Sequence, residues 1–187
     1  MDDMTSRRRF LLGALVTPAA LGLGACARAA DSPKSATVDI EKFSADGKSL
    51  GKTRMARVIK TEEEWRSQLP ADSFVVTRQA GTERPGSGQY NANHEDGLYR
   101  CICCDTALFD SKTKFESGTG WPSFWKPISS ANVLEHGYSS FTQGTEVNCK
   151  LCDAHLGHVF DDGPEPTGLR YCMNSVALSF VPRAKPG

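Results

Sequence analysis

The residues that decide the fold are Cys101-Ile102-Cys103-Cys104 and Cys149-Lys150-Leu151-Cys152, two strings that each contain a CxxC pair, with 44 residues between them. A CxxC turn presents two thiolates from one tight loop, and two such turns complete a tetrahedral four-sulfur site for zinc. Both pairs continue in the same way, with Asp and then a step into apolar residues: Cys104-Asp105-Thr106-Ala107-Leu108 and Cys152-Asp153-Ala154-His155-Leu156. A closed set of Cys101, Cys104, Cys149 and Cys152 leaves no coordination position for water, so its expected role is structural. Three other uses of these thiols compete. Disulfides suit an exported chain. A redox CxxC wants a single motif opening a helix in a βαβ setting. A nucleic-acid zinc ribbon wants a basic surplus. Closed zinc ranks first.

The charge balance argues against the ribbon. The 187 residues carry 22 Lys and Arg against 22 Asp and Glu, whereas neutralising phosphates needs an excess of cations. With 39% apolar and 24% charged residues, the composition is neither disordered nor membrane-embedded. The length suits one domain with a leader.

Residues 1–30 read as that leader. Ser6-Arg7-Arg8-Arg9-Phe10-Leu11-Leu12 is a twin-arginine pattern, followed by a mildly apolar stretch from Leu11 to Leu23. As a helix this stretch reaches only about 20 Å, short of a bilayer core, so an export signal is the expectation. Two processing readings stand. Ala27-Arg28-Ala29 fits a signal-peptidase site and releases a soluble protein, which is favoured. Leu23-Gly24-Ala25-Cys26 resembles a lipoprotein box, and only acylation of Cys26 would tie the chain to a membrane. Either way the expected location is periplasmic or otherwise outside the cytoplasm. A twin-arginine route carries folded proteins, so zinc would be loaded in the reducing cytoplasm before export.

Residues 31–60 read as a polar linker followed by a β-hairpin. Val38, Ile40 and Phe43 precede Asp46-Gly47, which supplies the positive φ of a tight turn, and Met55 to Ile59 is the expected return strand. The main domain spans 61–183. Thr61-Glu62-Glu63-Glu64 is a capping-box signature for a short helix through Trp65 and Leu69. A second short helix is expected from Ala71 to Ala80, stopped by Gly81. From Gly97 onward short apolar clusters alternate with Gly, Pro, Asp and Ser, and Val176, Leu178 and Phe180 alternate as in a half-buried strand. No repeat of fold-defining period is visible. The fold expected is mainly β, two antiparallel sheets stapled by the four-cysteine zinc site, with short N-terminal helices.

Cys103 and Cys172 remain after the zinc set and Cys26. Cys172 lies in Gly168-Leu169-Arg170-Tyr171-Cys172-Met173-Asn174-Ser175. On an extended chain Arg170 and Asn174 share its face. A cation beside a thiol favours thiolate, which makes a nucleophile; an inert buried cysteine is the competing reading. His155 and His158 directly follow the second CxxC, where a metal-anchored turn is a rigid mount for acid–base groups; extra ligands or surface residues are the alternative. Trp121, between Gly120 and Pro122, suits neither mid-strand nor mid-helix. It reads as the apolar wall of a pocket or as a core plug.

Together these strings resemble the methionine-R-sulfoxide reductases, the B class of methionine sulfoxide reductases. The match is carried by Tyr99 to Cys104, Lys114 to Phe124, Cys149 to Phe160 and Pro166 to Ser175, with Gly81-Thr82-Glu83-Arg84-Pro85 as a preceding loop. The resemblance implies Cys172 as nucleophile and Cys101, Cys104, Cys149 and Cys152 as zinc ligands. It implies Trp121 as the wall for the substrate methyl group, and His155, His158, Arg170 and Asn174 as the polar side. It also implies selectivity for the R epimer in peptides or proteins, and a thioredoxin-like thiol donor as partner. One departure matters: where many members carry a resolving cysteine, this chain has Thr119. A Cys172 sulfenic acid is then reduced by an external thiol, or resolved by Cys103 or Cys26. A non-catalytic zinc-stabilised binding module and other thiol chemistry, such as handling glutathione adducts, are the rival functions.

Overall fold

The computed structural model describes residues 36–137 and 144–183; the leader with Cys26, and the linker up to residue 35, lie outside the described residues. The chain first forms a hairpin, β1 (Thr37–Phe43) and β2 (Ser49–Ala56), then two short helices, α1 (Glu62–Gln68) and α2 (Ala71–Gln79). Nine strands follow: β3 (Gly97–Cys101), β4 (Ala107–Asp110), β5 (Lys114–Phe115), β6 (Ser123–Phe124), β7 (Val133–His136), β8 (Thr145–Cys149), β9 (His155–Phe160), β10 (Arg170–Met173) and β11 (Leu178–Pro182). They make a six-stranded sheet in the order β5-β6-β10-β9-β8-β7 and a three-stranded sheet β11-β3-β4. All pairings are antiparallel. The main body is thus two antiparallel sheets with short helices before them, as the sequence indicates, and the hairpin is a third, two-stranded sheet.

Local chemistry explains the elements and three departures. The capping box closes as expected: Glu64 N–H donates to Thr61 Oγ1 at 3.2 Å, and Thr61 N–H to Glu64 Oε2 at 2.7 Å. At the end of α2 it is Ala80, not Gly81, that turns left-handed, with φ of 52°; the next amide, of Gly81, reaches the carbonyl of Val75. The return strand of the hairpin is Ser49–Ala56, earlier than Met55 to Ile59, because the turn at Asp46-Gly47 leaves residues 49–54 paired with β1. Val176 belongs to a 3₁₀ turn, Ser175–Ala177, rather than to the last strand.

An aromatic cluster joins the two large sheets. Phe124 stacks on Phe109 at 4.4 Å between ring centroids and meets Tyr99 edge-on at 5.0 Å, while Tyr99 also contacts Phe180 at 4.9 Å. Such pairs add about 0.5–1.5 kcal/mol beyond area burial. Phe124 pairs with Tyr171 across β6 and β10. These rings fill the interior, so their strand neighbours Ser123 and Cys172 face the opposite side of the sheet.

A buried amide is one of the ties that hold the hairpin to the body, beside the bond from Ser129 Oγ to Glu41 Oε2 at 2.7 Å. Asn132, fully buried, accepts from Glu41 N–H at 2.9 Å and donates to the carbonyls of Glu41 and Ala107, each at 2.8 Å. Replacing Asn132 with Ala strands these groups, each worth about 1–3 kcal/mol when buried and unpaired. We expect Asn132→Ala to lower the urea midpoint by an amount equivalent to about 2–4 kcal/mol and to speed amide exchange in β1. An unchanged midpoint would contradict this docking.

Candidate functional site

Two matched turns build the metal centre. In the first, Asp105 N–H donates to Cys101 O at 2.9 Å and Cys101 N–H to Thr106 O at 2.8 Å. In the second, Asp153 N–H donates to Cys149 O at 2.8 Å and Cys149 N–H to Ala154 O at 2.9 Å. The repeat extends to backbone torsions: Asp105 and Asp153 are left-handed, with φ of 60° and 62°, a conformation that Asp tolerates better than most side chains. The ligand atoms of Cys101, Cys104, Cys149 and Cys152 lie within 4.8 Å of one another. Across the two turns, Cys101 Sγ is 3.7 Å from Cys152 Sγ, and Cys104 Sγ is 3.5 Å from Cys149 Sγ. A tetrahedral metal with bonds of about 2.3 Å spaces its sulfurs by about 3.8 Å, whereas a disulfide needs about 2.05 Å. The geometry is that of a metal site, not of two disulfides. Cys103 stands outside the quartet and is buried. The helices brace both turns: Gln68 Nε2 donates to Cys103 O at 2.9 Å, and Arg78 Nη1 to Cys152 O at 3.0 Å.

Three residues after Cys152 the chain enters β9, so the metal centre anchors the strand that carries both histidines. Register then brings them to Cys172. Across the six-stranded sheet, Ser123 pairs with Cys172, Cys172 with His158, and His158 with Glu146. Directly paired residues of antiparallel strands share a face, so these four side chains form one row. Gly157 lets β9 and β10 come this close: a Cβ there would stand 2.1 Å from the carbonyl oxygen of Cys172.

The row opens into a small cleft lined by Thr82, Trp121, Gly157, His158, Phe160, Cys172 and Asn174, with a volume of about 120 Å³. Whole small ligands fill roughly 300–1,000 Å³. This cleft suits the end of one side chain. Trp121 forms an apolar wall, held by its Nε1, which donates to Glu83 O at 3.2 Å. Asn174 is buried; its Oδ1 accepts from Glu83 N–H at 3.0 Å and its Nδ2 donates to Leu156 O at 3.1 Å.

Two of the expected polar residues stand behind the lining. Arg170 grips Asp162 with two bonds of 2.8 Å and stacks on Phe160 at 4.3 Å. His155 is buried, with Nδ1 at 2.8 Å from Glu146 Oε1 and its ring 5.3 Å from that of His158; its Nε2 is buried without a hydrogen-bond partner. Glu83, Glu146, Asp162 and the hydroxyls of Ser117 and Ser123 were not singled out by their sequence setting. Their only advance signal was membership of matched strings (Glu83, Ser117 and Ser123) or nearness to the histidines (Glu146 and Asp162).

The electrostatics of Cys172 differ from the sequence expectation. Burial pushes its thiol above the ordinary value, while Thr119, the charge of Arg170 and Ser123 oppose the rise without cancelling it. Arg170 is the expected cation, but its charge is shared with Asp162, and desolvation of the sulfur wins. Thr119 Oγ1 lies 3.8 Å from Cys172 Sγ and 2.8 Å from Ser117 Oγ, which in turn is 2.7 Å from Ser123 Oγ. Hydroxyls therefore surround the sulfur where a second thiol would otherwise stand. Burial also lowers His158, helped by His155 and opposed by Glu146.

Comparison with known proteins agrees with this arrangement. The SelR domain family matches residues 69–182. The peptide methionine sulfoxide reductase MsrB of Pseudomonas entomophila strain L48 is 58% identical over 130 residues, covering 69% of this chain and 99% of that protein. The MsrB of Pseudomonas fluorescens strain Pf-5 is 58% identical over 130 residues, 69% of this chain and all of that protein. That of Pseudomonas syringae pv. syringae strain B728a is 56% identical over 131 residues, 70% of this chain and all of that protein. A shared domain and this identity along nearly the whole of each relative establish that the chain belongs to the SelR-domain family, the B class of methionine sulfoxide reductases.

Proposed function

We propose that this protein reduces the R epimer of methionine sulfoxide in peptides or proteins, with Cys172 as nucleophile. The observation that carries the reading is the placement of Cys172: on one face with His158, in a cleft that Trp121 and Asn174 also line. The substrate methyl group packs on Trp121, and the sulfoxide oxygen turns toward His158 and Asn174. Cys172 sulfur attacks the sulfoxide sulfur, the S–O bond to the substrate breaks, and oxygen leaves on Cys172 as a sulfenic acid. Methionine sulfoxide is reduced by two electrons to methionine, and Cys172 is oxidised by two. An external thiol then condenses with the sulfenic acid, releasing water and forming a mixed disulfide. A second thiol equivalent displaces that disulfide and restores Cys172. A thioredoxin-like dithiol supplies both equivalents. Among the described residues no thiol stands as a hydrogen-bonding neighbour of Cys172, and Cys103 is buried within the core.

Proton traffic follows from the shifts. Burial raises Cys172 and lowers His158, so at neutral pH the pair rests as thiol and neutral imidazole. His158 takes the thiol proton as sulfur attacks and passes it to the sulfoxide oxygen, a contribution of about 10²–10⁴-fold. His155, braced by Glu146, fixes the position of His158 from behind. Arg170, braced by Asp162, supplies the positive charge nearest the developing anion.

The ion of the four-sulfur centre is zinc, held by Cys101, Cys104, Cys149 and Cys152; a borderline-soft ion without redox chemistry suits a closed thiolate set. It supplies folding energy. The twin-arginine string at residues 6–12 supports export of the folded, metal-loaded protein to the periplasm, with release after Ala29 favoured over acylation of Cys26.

Three outcomes test these statements. Cys172→Ser abolishes turnover, and the unmodified enzyme after one turnover without reductant carries one added oxygen that dimedone captures. An intramolecular disulfide at that stage would refute direct reduction. The one-proton state of the Cys172–His158 pair persists from below 6.5, the ordinary histidine value, to above 9.0, the ordinary thiol value. The profile of kcat/KM is therefore flat through neutral pH, and an alkaline fall below pH 9 would contradict the raised thiol. Rerouting the chain through the general secretory pathway yields zinc-poor, disulfide-linked protein; full zinc and activity by that route would remove the case for folded export.

A further inference from the structure

Glu83 lies in the loop between α2 and β3, outside the cleft lining, yet both walls of the cleft hang from it. Its carbonyl accepts Trp121 Nε1 at 3.2 Å and its N–H donates to Asn174 Oδ1 at 3.0 Å. Its carboxylate accepts the N–H of Ser175 at 2.8 Å on Oε1 and of Val176 at 3.0 Å on Oε2. The side chain therefore clamps the loop to the segment directly after Cys172 and Asn174, while the backbone of the same residue holds two residues of the cleft lining, Trp121 and Asn174.

The surroundings leave this clamp little play. A Cβ at Gly88 would stand 2.5 Å from Glu83 Oε1 and 2.2 Å from Ser175 Oγ. Gly86 N–H donates to Gly120 O at 2.7 Å, one residue before Trp121. At Gly120, with φ of +92°, a Cβ would stand 2.8 Å from Gly86 N and from Pro85 Cβ. The loop thus touches the Trp121 segment and the Asn174 segment at once. Ser175 is fully buried, so water does not readily replace the carboxylate at its amide.

We propose that Glu83 is a positioning residue that fixes the separation and orientation of Trp121 and Asn174, and through them the choice of sulfoxide epimer. The inference rests on the reading that the cleft takes methionine sulfoxide. A sulfoxide sulfur is chiral because methyl, oxygen and chain differ. Only walls held at a set spacing reject the mirror arrangement, and a misplacement of about 1 Å costs on the order of 10²-fold in rate. Without the carboxylate, the loop keeps its backbone bonds to the walls but loses its anchor to the strand end.

The test uses the metal-loaded full enzyme with Glu83→Ala and Glu83→Gln, both epimers of a methionine sulfoxide peptide, and iodoacetamide alkylation of Cys172. For Glu83→Ala we expect KM for the R epimer to rise at least about tenfold, kcat to change less, and the R-over-S preference to fall at least tenfold. Alkylation of Cys172 stays within about twofold, since the sulfur's own neighbours are intact. Glu83→Gln keeps one acceptor and recovers part of the loss. Should Glu83→Ala fail to fold, Glu83→Gln decides: a fall in epimer preference of about threefold or more supports the inference. A lowered melting point with unchanged KM and epimer preference shows a structural role alone and overturns it. Failure of the unmodified enzyme to turn over either epimer sinks the parent reading instead, so the two failures are distinct.

Discussion

Four sulfur atoms brought within 4.8 Å of one another constrain everything else in this molecule. They belong to two turns of the same backbone design, one closing β3 toward β4 and the other closing β8 toward β9. Unbridged, four buried thiolates would repel one another; with a cation between them they tie the three-stranded sheet to the six-stranded one. The second turn releases the chain into β9 at His155. The strand that carries His155 and His158 is thereby fixed to the metal centre, and the helices α1 and α2 brace that point through Gln68 and Arg78.

From that anchor, sheet register does the rest. A one-residue slip between β9 and β10 would move Cys172 to the interior and Tyr171 to the cleft. Two features forbid it. The aromatic stack of Phe109, Phe124 and Tyr99 holds the interior face, and Gly157 admits the Cys172 carbonyl where any larger residue would collide. The row Ser123–Cys172–His158–Glu146 is the result. It sets a half-buried sulfur beside an imidazole of lowered proton affinity, and the two share one proton across neutral pH.

The sequence disclosed the parts whose logic is local. CxxC spacing, the Asp after each pair, the capping box at Thr61 and the neighbourhood of Cys172 all operate within a few residues. The metal quartet, and Cys172, His158, Trp121 and Asn174 as residues that the fold gathers into one cleft, are therefore legible. What was not legible is what distant segments do to one another. Glu83 meets Ser175 and Trp121 only after folding, and Glu146 meets His155 only through a bulge between β8 and β9. The Asn132 bonds to the hairpin cross 91 residues. The ionisation of Cys172 is illegible in the sequence for the same reason. Arg170 two residues away was visible as a favourable charge, whereas the burial that outweighs it, and Asp162 that shares the charge, come from the tertiary structure.

The direct test of the account is a paired count of metal and thiols on the protein without its leader. One equivalent of zinc, with native-state alkylation at alkaline pH confined to Cys172 and the other five cysteines modified only after denaturation with a chelator, is the predicted result. A native protein without metal, or one whose alkylation reaches Cys101, Cys104, Cys149 or Cys152 as readily as Cys172, would contradict it.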